Sequence, residues 1–409
     1  MPAMPRTFCT TKNAEDMADM QTVPRVTLIG HPFSPIGTGR AVRVTFAACR
    51  SVGIDARMRD VWQFLEPEDA QVDSIVPLLT TTYGAMNIFH INGDEVTPVL
   101  ERIGPLPPGY NIIVPFWELP RYPAEWACQL QRFDEVWAGS HYVRRSIAAA
   151  IDRPVIHMPL ATEIALDTFC GRRWFGIPEN SYAFLFFFDG RSYIARKNPQ
   201  AVVDCFRRLL TSRPWARTCL VIKVHRIDAA SADVREFLAG LADLRERVVV
   251  LEATMPEVEV HNLIRCCDAF VSLHRSEGFG HGLAEAMYLG LPVIGTGYSG
   301  NMDFMTPENS IPIGYRLIPV ASGSYPHAED QHWADPDLDE AVTQMIRLLD
   351  DPASGRALGR RASRCIRTAF SYRASGLRYK RRLDEIADAA AEASQRIECK
   401  ADRPTSARA

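Results

Sequence analysis

Short apolar runs of strand length alternate with amphipathic stretches of helix length from Arg25 to Leu349. Strands buried on both faces read as continuous apolar runs, and parallel strands need a helical crossover between them. The alternation therefore predicts parallel sheets flanked by helices. In the first half the runs are Arg25–Gly30, Asn87–Ile91, Tyr110–Phe116, Glu135–Ala138 and Pro154–Met158. A helix starting near Gly39 places Val42, Phe46, Cys49 and Val52 on one face and stops at Gly53, a residue suited to the left-handed C′ position.

Asp167–Tyr182, with Gly171, Gly176, Pro178 and Asn180, reads as a linker. A second series of strands follows: Ala183–Phe188, Cys219–Val224, Val248–Leu251, Ala269–Leu273 and Pro292–Gly295. Leu338, Val342, Met345 and Leu349 mark a later amphipathic helix. The expected organisation is a disordered segment over 1–22, a Rossmann-like domain over 23–174 and a second over 175–375. A helix over 376–395 returning to the first domain and a disordered tail over 396–409 complete it.

Composition narrows the class. A chain of 409 residues can fill two α/β cores. Its 46 basic residues face 49 acidic ones, and no strand interleaves aromatic with basic positions, which excludes a dedicated nucleic-acid binder. Ten cysteines lack metal-site spacing and read as thiols of a reducing compartment. No apolar run approaches the roughly 20 residues of a spanning helix. The stretch to Val23 carries Lys12, Glu15, Asp16 and Asp19 and is no signal peptide. The expectation is a cytoplasmic protein, with local basic clusters leaving peripheral contact at the inner face of a membrane open.

The chemistry concentrates in Ser276–Asn301. A strand ends near His274, a glycine-rich loop follows, and a helix begins near Gly282. Gly278 and Gly280, flanking Phe279, let backbone N–H groups approach an anion, and the helix N-terminus adds its dipole. Glu277 in the loop and Glu285 in the helix are carboxylates at two depths of one crevice, able to hold two sugar rings. A second loop, Gly297-Tyr298-Ser299-Gly300-Asn301, is expected to add N–H donors from Ser299 and Gly300. Arg191, Arg196 and Lys197 follow the first strand of this domain, where ligands of open α/β sheets bind, and would neutralise a diphosphate. Tight turns and a solvated basic cluster are the bland alternatives. Asp335–Asp339 mimics an Asp-x-Asp metal motif, but it precedes a helix, where aspartates serve as caps.

Glu277 to Glu285 resembles the Glu-seven-residues-Glu motif of glycosyltransferase family 4, retaining enzymes with the GT-B fold of two Rossmann-like domains facing a central cleft. The Phe186–Pro199 segment and Gly295–Phe304 are similar to the mannosyl- and rhamnosyltransferase-like branch of bacterial surface polysaccharide synthesis. The resemblance implies that Glu277 contacts the donor sugar, Glu285 the nucleotide ribose, and Arg191 and Lys197 the diphosphate. It implies that the loop Gly37-Thr38-Gly39 reaches across the cleft, with Arg40 assisting or serving only the turn, and that Glu118 touches the transferred sugar or the acceptor, a plain surface glutamate being the rival reading. His281 departs from the apolar residue usual in relatives. The expected activity is retaining transfer of a hexose, GDP-mannose being the first choice of donor, to a glycan or lipid-linked saccharide. No cofactor or metal is expected beyond the nucleotide-sugar co-substrate. The alternative is a catalytically silent GT-B scaffold that binds a nucleotide sugar or an assembly partner.

Overall fold

The computed structural model describes residues 25–34, 37–61, 75–166, 168–225 and 232–401. The expected disordered segment 1–22 lies outside the described residues. The first sheet contains β1 (Val26–Gly30), β2 (Ala56–Asp60), β3 (Met86–Phe89), β4 (Tyr110–Ile113), β5 (Glu135–Ala138) and β6 (Val155–His157). Its order is β2-β1-β3-β4-β5-β6 and every pairing is parallel. Among the described residues, the helices of this half are α1 (Gly37–Ser51), α2 (Val96–Ile103), α3 (Ala124–Leu130) and α4 (His141–Ala148). Gly53 has φ +80° where α1 ends, the left-handed conformation that glycine adopts without a Cβ clash.

The second sheet contains β7 (Tyr182–Asp189), β8 (Thr218–His225), β9 (Val248–Leu251), β10 (Ala269–Ser272), β11 (Val293–Thr296) and β12 (Ile311–Ile313), in the order β12-β11-β10-β7-β8-β9. It too is parallel throughout. Its crossovers are α5 (Ile194–Lys197), α6 (Pro199–Ser212), α7 (Ala232–Ala239), α8 (Glu257–Cys266) and α9 (His281–Tyr288), and α10 (Leu338–Asp350) and α11 (Pro352–Ala369) follow. Ala183, Phe184, Leu185 and Phe186 of β7 are buried on both faces, which explains the unbroken apolar run there.

The hairpin β13 (Tyr315–Pro319) and β14 (His332–Pro336) extends from this second half. Asp337 caps α10, accepting the N–H groups of Asp339 and Glu340, and Asp335 pairs with Arg316. The aspartate run therefore serves a strand and a helix cap.

The last helix, α12, runs Tyr372–Ala401. Residues 396–401, expected to be disordered, are thus helical, because the helix is extended by Ala, Glu, Gln and Arg, all good helix formers. Residues 402–409 lie outside the described residues. α12 packs on the first domain. Gly376 sits where a Cβ would fall 2.2 Å from the Ala48 carbonyl oxygen, Tyr379 stacks on Trp137, and its hydroxyl donates to Pro159 O at 3.1 Å. No helix among the described residues is long and apolar enough to cross a membrane.

Candidate functional site

The turn after β10 builds the centre of the site. Gly280 takes φ +95° and opens α9. The backbone N–H groups of Gly278, Phe279 and Gly280 have no acceptor among the described residues, and all three residues line a cavity of about 630 Å3. Free amides at a helix start form a cradle for an anion. The cavity lies between the domains: Gly37, Thr38 and Glu118 come from the first, and Arg191, Lys197, Glu277 and Glu285 from the second.

Glu277 is buried, and Lys197 Nζ donates to its Oε1 at 2.6 Å while Arg196 Nη1 stands 3.3 Å from Oε2. Burial pushes this carboxyl up, but the Lys197 and Arg196 charges outweigh burial and hold it well below the usual carboxylate range. Glu277 is therefore an ionised, acceptor-only group, suited to sugar hydroxyls. Burial pulls the Lys197 ammonium down, and Glu277 opposes that shift. Arg196 is itself buried and donates to Ser276 O at 2.9 Å, so it fixes the Glu277 turn. Arg191 is exposed at the cavity rim and makes no ion pair among the described residues.

Ser299 and Gly300, expected to face the ligand, do not line this cavity; they support the Glu277 turn from behind. Ser299 Oγ accepts the Glu277 N–H at 2.8 Å, and Gly300 N–H donates to Glu277 O at 2.9 Å. Ser299 holds φ +76° and ψ −148°, nearly reserved for glycine and costing about 1–3 kcal/mol, which the surrounding contacts must over-determine. Asn301 Nδ2 donates to Thr296 O, so its Oδ1 accepts from His274 Nε2, and His274 Nδ1 accepts from Ser272. Burial pulls His274 below its ordinary value and keeps this bridge neutral.

A Cβ on Gly300 would stand 2.1 Å from Gly278 O and 2.9 Å from Glu277 O. Gly300→Ala should therefore displace the turn, lowering stability by about 1–3 kcal/mol and weakening nucleotide binding. Denaturant melts and ligand titration check both; an unchanged affinity would show that the second loop does not position the first.

From the first domain, Gly37 and Thr38 lie in the opening turn of α1 and line the cavity, but Gly39 does not. A Cβ on Gly39 would meet Ser34 O at 2.2 Å and His31 O at 2.6 Å, so this glycine is required by packing and is not part of a cleft loop. The guanidinium of Arg40 lies against Glu285 and stands 3.4 Å from Glu257, while His261 Nε2 is 3.6 Å from Glu285. Glu285 thus faces the cavity while engaged by a first-domain cation. Glu118 accepts the Tyr325 hydroxyl and lines the same cavity, so it is no solvated surface glutamate. His281 also lines it, with neither ring nitrogen hydrogen-bonded among the described residues. Burial, then the Arg40 charge, lowers it to about 3.

Tyr325, Glu257, His261 and Lys223 line the cavity without having been singled out in the sequence. Lys223, near the carboxyl end of β8, was within reach of the rule that exposed the Arg191–Lys197 group. Tyr325 was not, since it sits in the loop of a hairpin that the apolar pattern does not reveal.

Residues 177–320 match the family model described as glycosyl transferases group 1, so the second half carries a domain of that kind. A sequence comparison with curated proteins finds no match. Among solved structures, sucrose-phosphate synthase from Thermosynechococcus elongatus is similar at TM-score 0.65 and 16% identity, over 89% of this chain and 99% of that one. HepE from Anabaena, in complex with UDP and glucose, is similar at 0.63 and 12%, over 88% and 100%. The pneumococcal O-GlcNAc transferase GtfA, in complex with UDP and GlcNAc, is similar at 0.52 and 16%, over 74% and 57%. These likenesses show the fold: two parallel-sheet domains in the GT-B arrangement.

Proposed function

We propose that the protein is a retaining glycosyltransferase of family 4 that moves a hexose from a nucleotide sugar to a hydroxyl of a glycan or lipid-linked saccharide. The observation that carries this reading is the convergence on one interdomain cavity of an ionised carboxylate, Glu277, two cations, Lys197 and Arg191, and the unpaired amides of Gly278–Gly280. Sugar hydroxyls donate to Glu277, and the diphosphate takes the free amides and the cations. As the glycosidic bond breaks, negative charge grows on the departing phosphate oxygen, where Lys197 and Arg191 oppose it. That oxygen accepts the proton of the attacking hydroxyl on the same face, so no protein nucleophile forms a covalent intermediate. Glu118, steadied by Tyr325, orients the sugar or acceptor from the opposite wall. Glu285 takes the ribose once the nucleotide competes with Arg40.

The chemistry in this cleft needs no metal. The resemblance to the mannosyl- and rhamnosyltransferase-like branch favours GDP-mannose, whereas HepE and GtfA were solved with UDP. The proposal places the protein in the cytoplasm, at the inner face of the membrane where a lipid-linked acceptor would be presented.

A thermal-shift panel of GDP-, UDP- and dTDP-sugars, with and without EDTA, on wild type and Glu285→Ala tests it. Donor at about 100 times its Kd adds roughly 2.7 kcal/mol. A shift with one nucleotide class that survives EDTA and shrinks in the variant supports the reading. A shift without turnover on any saccharide acceptor would instead identify a silent scaffold, and no shift would remove the nucleotide-sugar site.

A further inference from the structure

A second cluster of metal-capable side chains joins the domains outside the cavity. His141 opens α4, His157 ends β6, and Asp303 closes the 3-10 turn Gly300–Asp303 of the second domain. A ring nitrogen of each histidine and a carboxylate oxygen of Asp303 lie within 4.8 Å of one another. His157 Nε2 is 2.9 Å from Asp303 Oδ2, yet this buried nitrogen makes no hydrogen bond among the described residues. A cation at about 2.0–2.1 Å from each donor would enter between them as the His157–Asp303 pair opens from 2.9 Å and the His141 ring turns off the His157 ring, against which it lies at 3.8 Å.

We propose that His141, His157 and Asp303 bind a divalent d-block cation of the zinc type, tying the first domain to the turn that holds Glu277. Two imidazoles and one carboxylate are the donor set such a cation takes, with water in a fourth position. Asp303 has no arginine or lysine partner among the described residues, so its charge is met only by imidazoles and by the His141 backbone N–H at 2.9 Å. That N–H supplies the outer support typical of a metal-bound carboxylate. The rival cluster, Glu257, His261 and Glu285, already contains the Arg40 guanidinium among its carboxylates. The joint also lies beside the donor site: Ser140, the cap of α4, donates from Oγ to Gly278 O at 2.6 Å, and the turn ending at Asp303 begins at Gly300. A cation here would hold the two domains together at the edge of the nucleotide loop, without entering the chemistry.

The test uses the full-length protein freed of metal and titrated with Co2+, read by its visible d–d bands, then displaced with Zn2+. One equivalent with a tetrahedral spectrum is expected. Asp303→Asn and His157→Ala should each weaken it by more than the roughly 10- to 100-fold that loss of an outer-shell partner costs, while His261→Ala leaves it unchanged. Melting of the metal-free variants reports folding separately: variants that melt like the wild type but lose Co2+ place the ligands. Absence of stoichiometric binding to the wild type overturns the proposal. So does binding that survives Asp303→Asn or is lost in His261→Ala. Donor binding in EDTA is a separate measurement, so failure here leaves the transferase reading standing.

Discussion

Lys197→Ala is expected to lower kcat/KM with a nucleotide-sugar donor by about 10²- to 10³-fold, the range for removing one preorganised group that opposes developing charge. The ammonium serves two partners. It holds Glu277 at 2.6 Å and lines the cavity wall, from which, in the proposed reaction, it would reach the diphosphate. Its removal leaves Glu277 with Arg196 alone, 3.3 Å away and tied to Ser276 O. The loss should therefore appear in kcat as well as in KM, because a charge that grows in the transition state is met by one cation fewer. Arg191→Ala should act in the same direction without touching Glu277. Denaturant melts of both variants separate the effects: Lys197→Ala loses folding stability together with activity, Arg191→Ala only activity. If Lys197→Ala raised KM alone, its role would be uniform binding, and charge stabilisation would have to come from the amides of Gly278–Gly280.

How much of this was legible in sequence follows from what each element buries. The strands of both sheets that face helices on two sides announce themselves as apolar runs, as Tyr182–Asp189 does. The edge strand Ala56–Asp60 does not: only Ala56 and Met58 are buried, while Arg57, Arg59 and Asp60 are half-exposed, so its pattern resembles a loop. The hairpin of Tyr315–Pro319 and His332–Pro336 is hidden for a similar reason, with exposed Tyr315 and Leu317 outside and Trp333 and Ala334 inside. That omission also hid Tyr325, and with it the partner of Glu118. At the site, Glu277, Lys197 and Gly278–Gly280 were legible because residue type and strand-end position agree. Ser299, Gly300 and Gly39 carry the same glycine-loop signal but spend it on close backbone approaches. Only contacts such as the 2.1 Å distance between a Gly300 Cβ and Gly278 O tell these uses apart. The pairing of Arg40 with Glu285 depends on how the domains meet, which local pattern does not encode.

Arg382→Ala should be the most destabilising single change outside the cavity, costing about 3–5 kcal/mol, the price of leaving one buried charge without its partner. Glu135 begins β5 and is fully buried, whereas Arg382 lies on α12, 247 positions away in sequence. The guanidinium engages both carboxylate oxygens, through Nε at 3.1 and 3.2 Å and through Nη2 at shorter range. Trp137 Nε1 donates to the same carboxylate at 2.6 Å and the Tyr110 hydroxyl at 3.3 Å. Burial, then the Glu135 charge, pushes the Tyr110 phenol up to about 12, so it stays a neutral donor and cannot replace the lost cation. With Arg382 gone, the carboxylate must either stay charged in an apolar setting or take up a proton on folding. Both routes destabilise the contact that returns the C-terminal helix to the first domain. Thermal melts should show a Tm lower by about 10 °C. Glu135→Gln in the Arg382→Ala background should recover much of it, because an amide carries no charge to strand. Donor-induced stabilisation should persist below the new midpoint, since the nucleotide loop belongs to the other sheet. If Arg382→Ala melted with the wild type, the pair would carry no net stability, and Gly376 and Tyr379 alone would dock the helix.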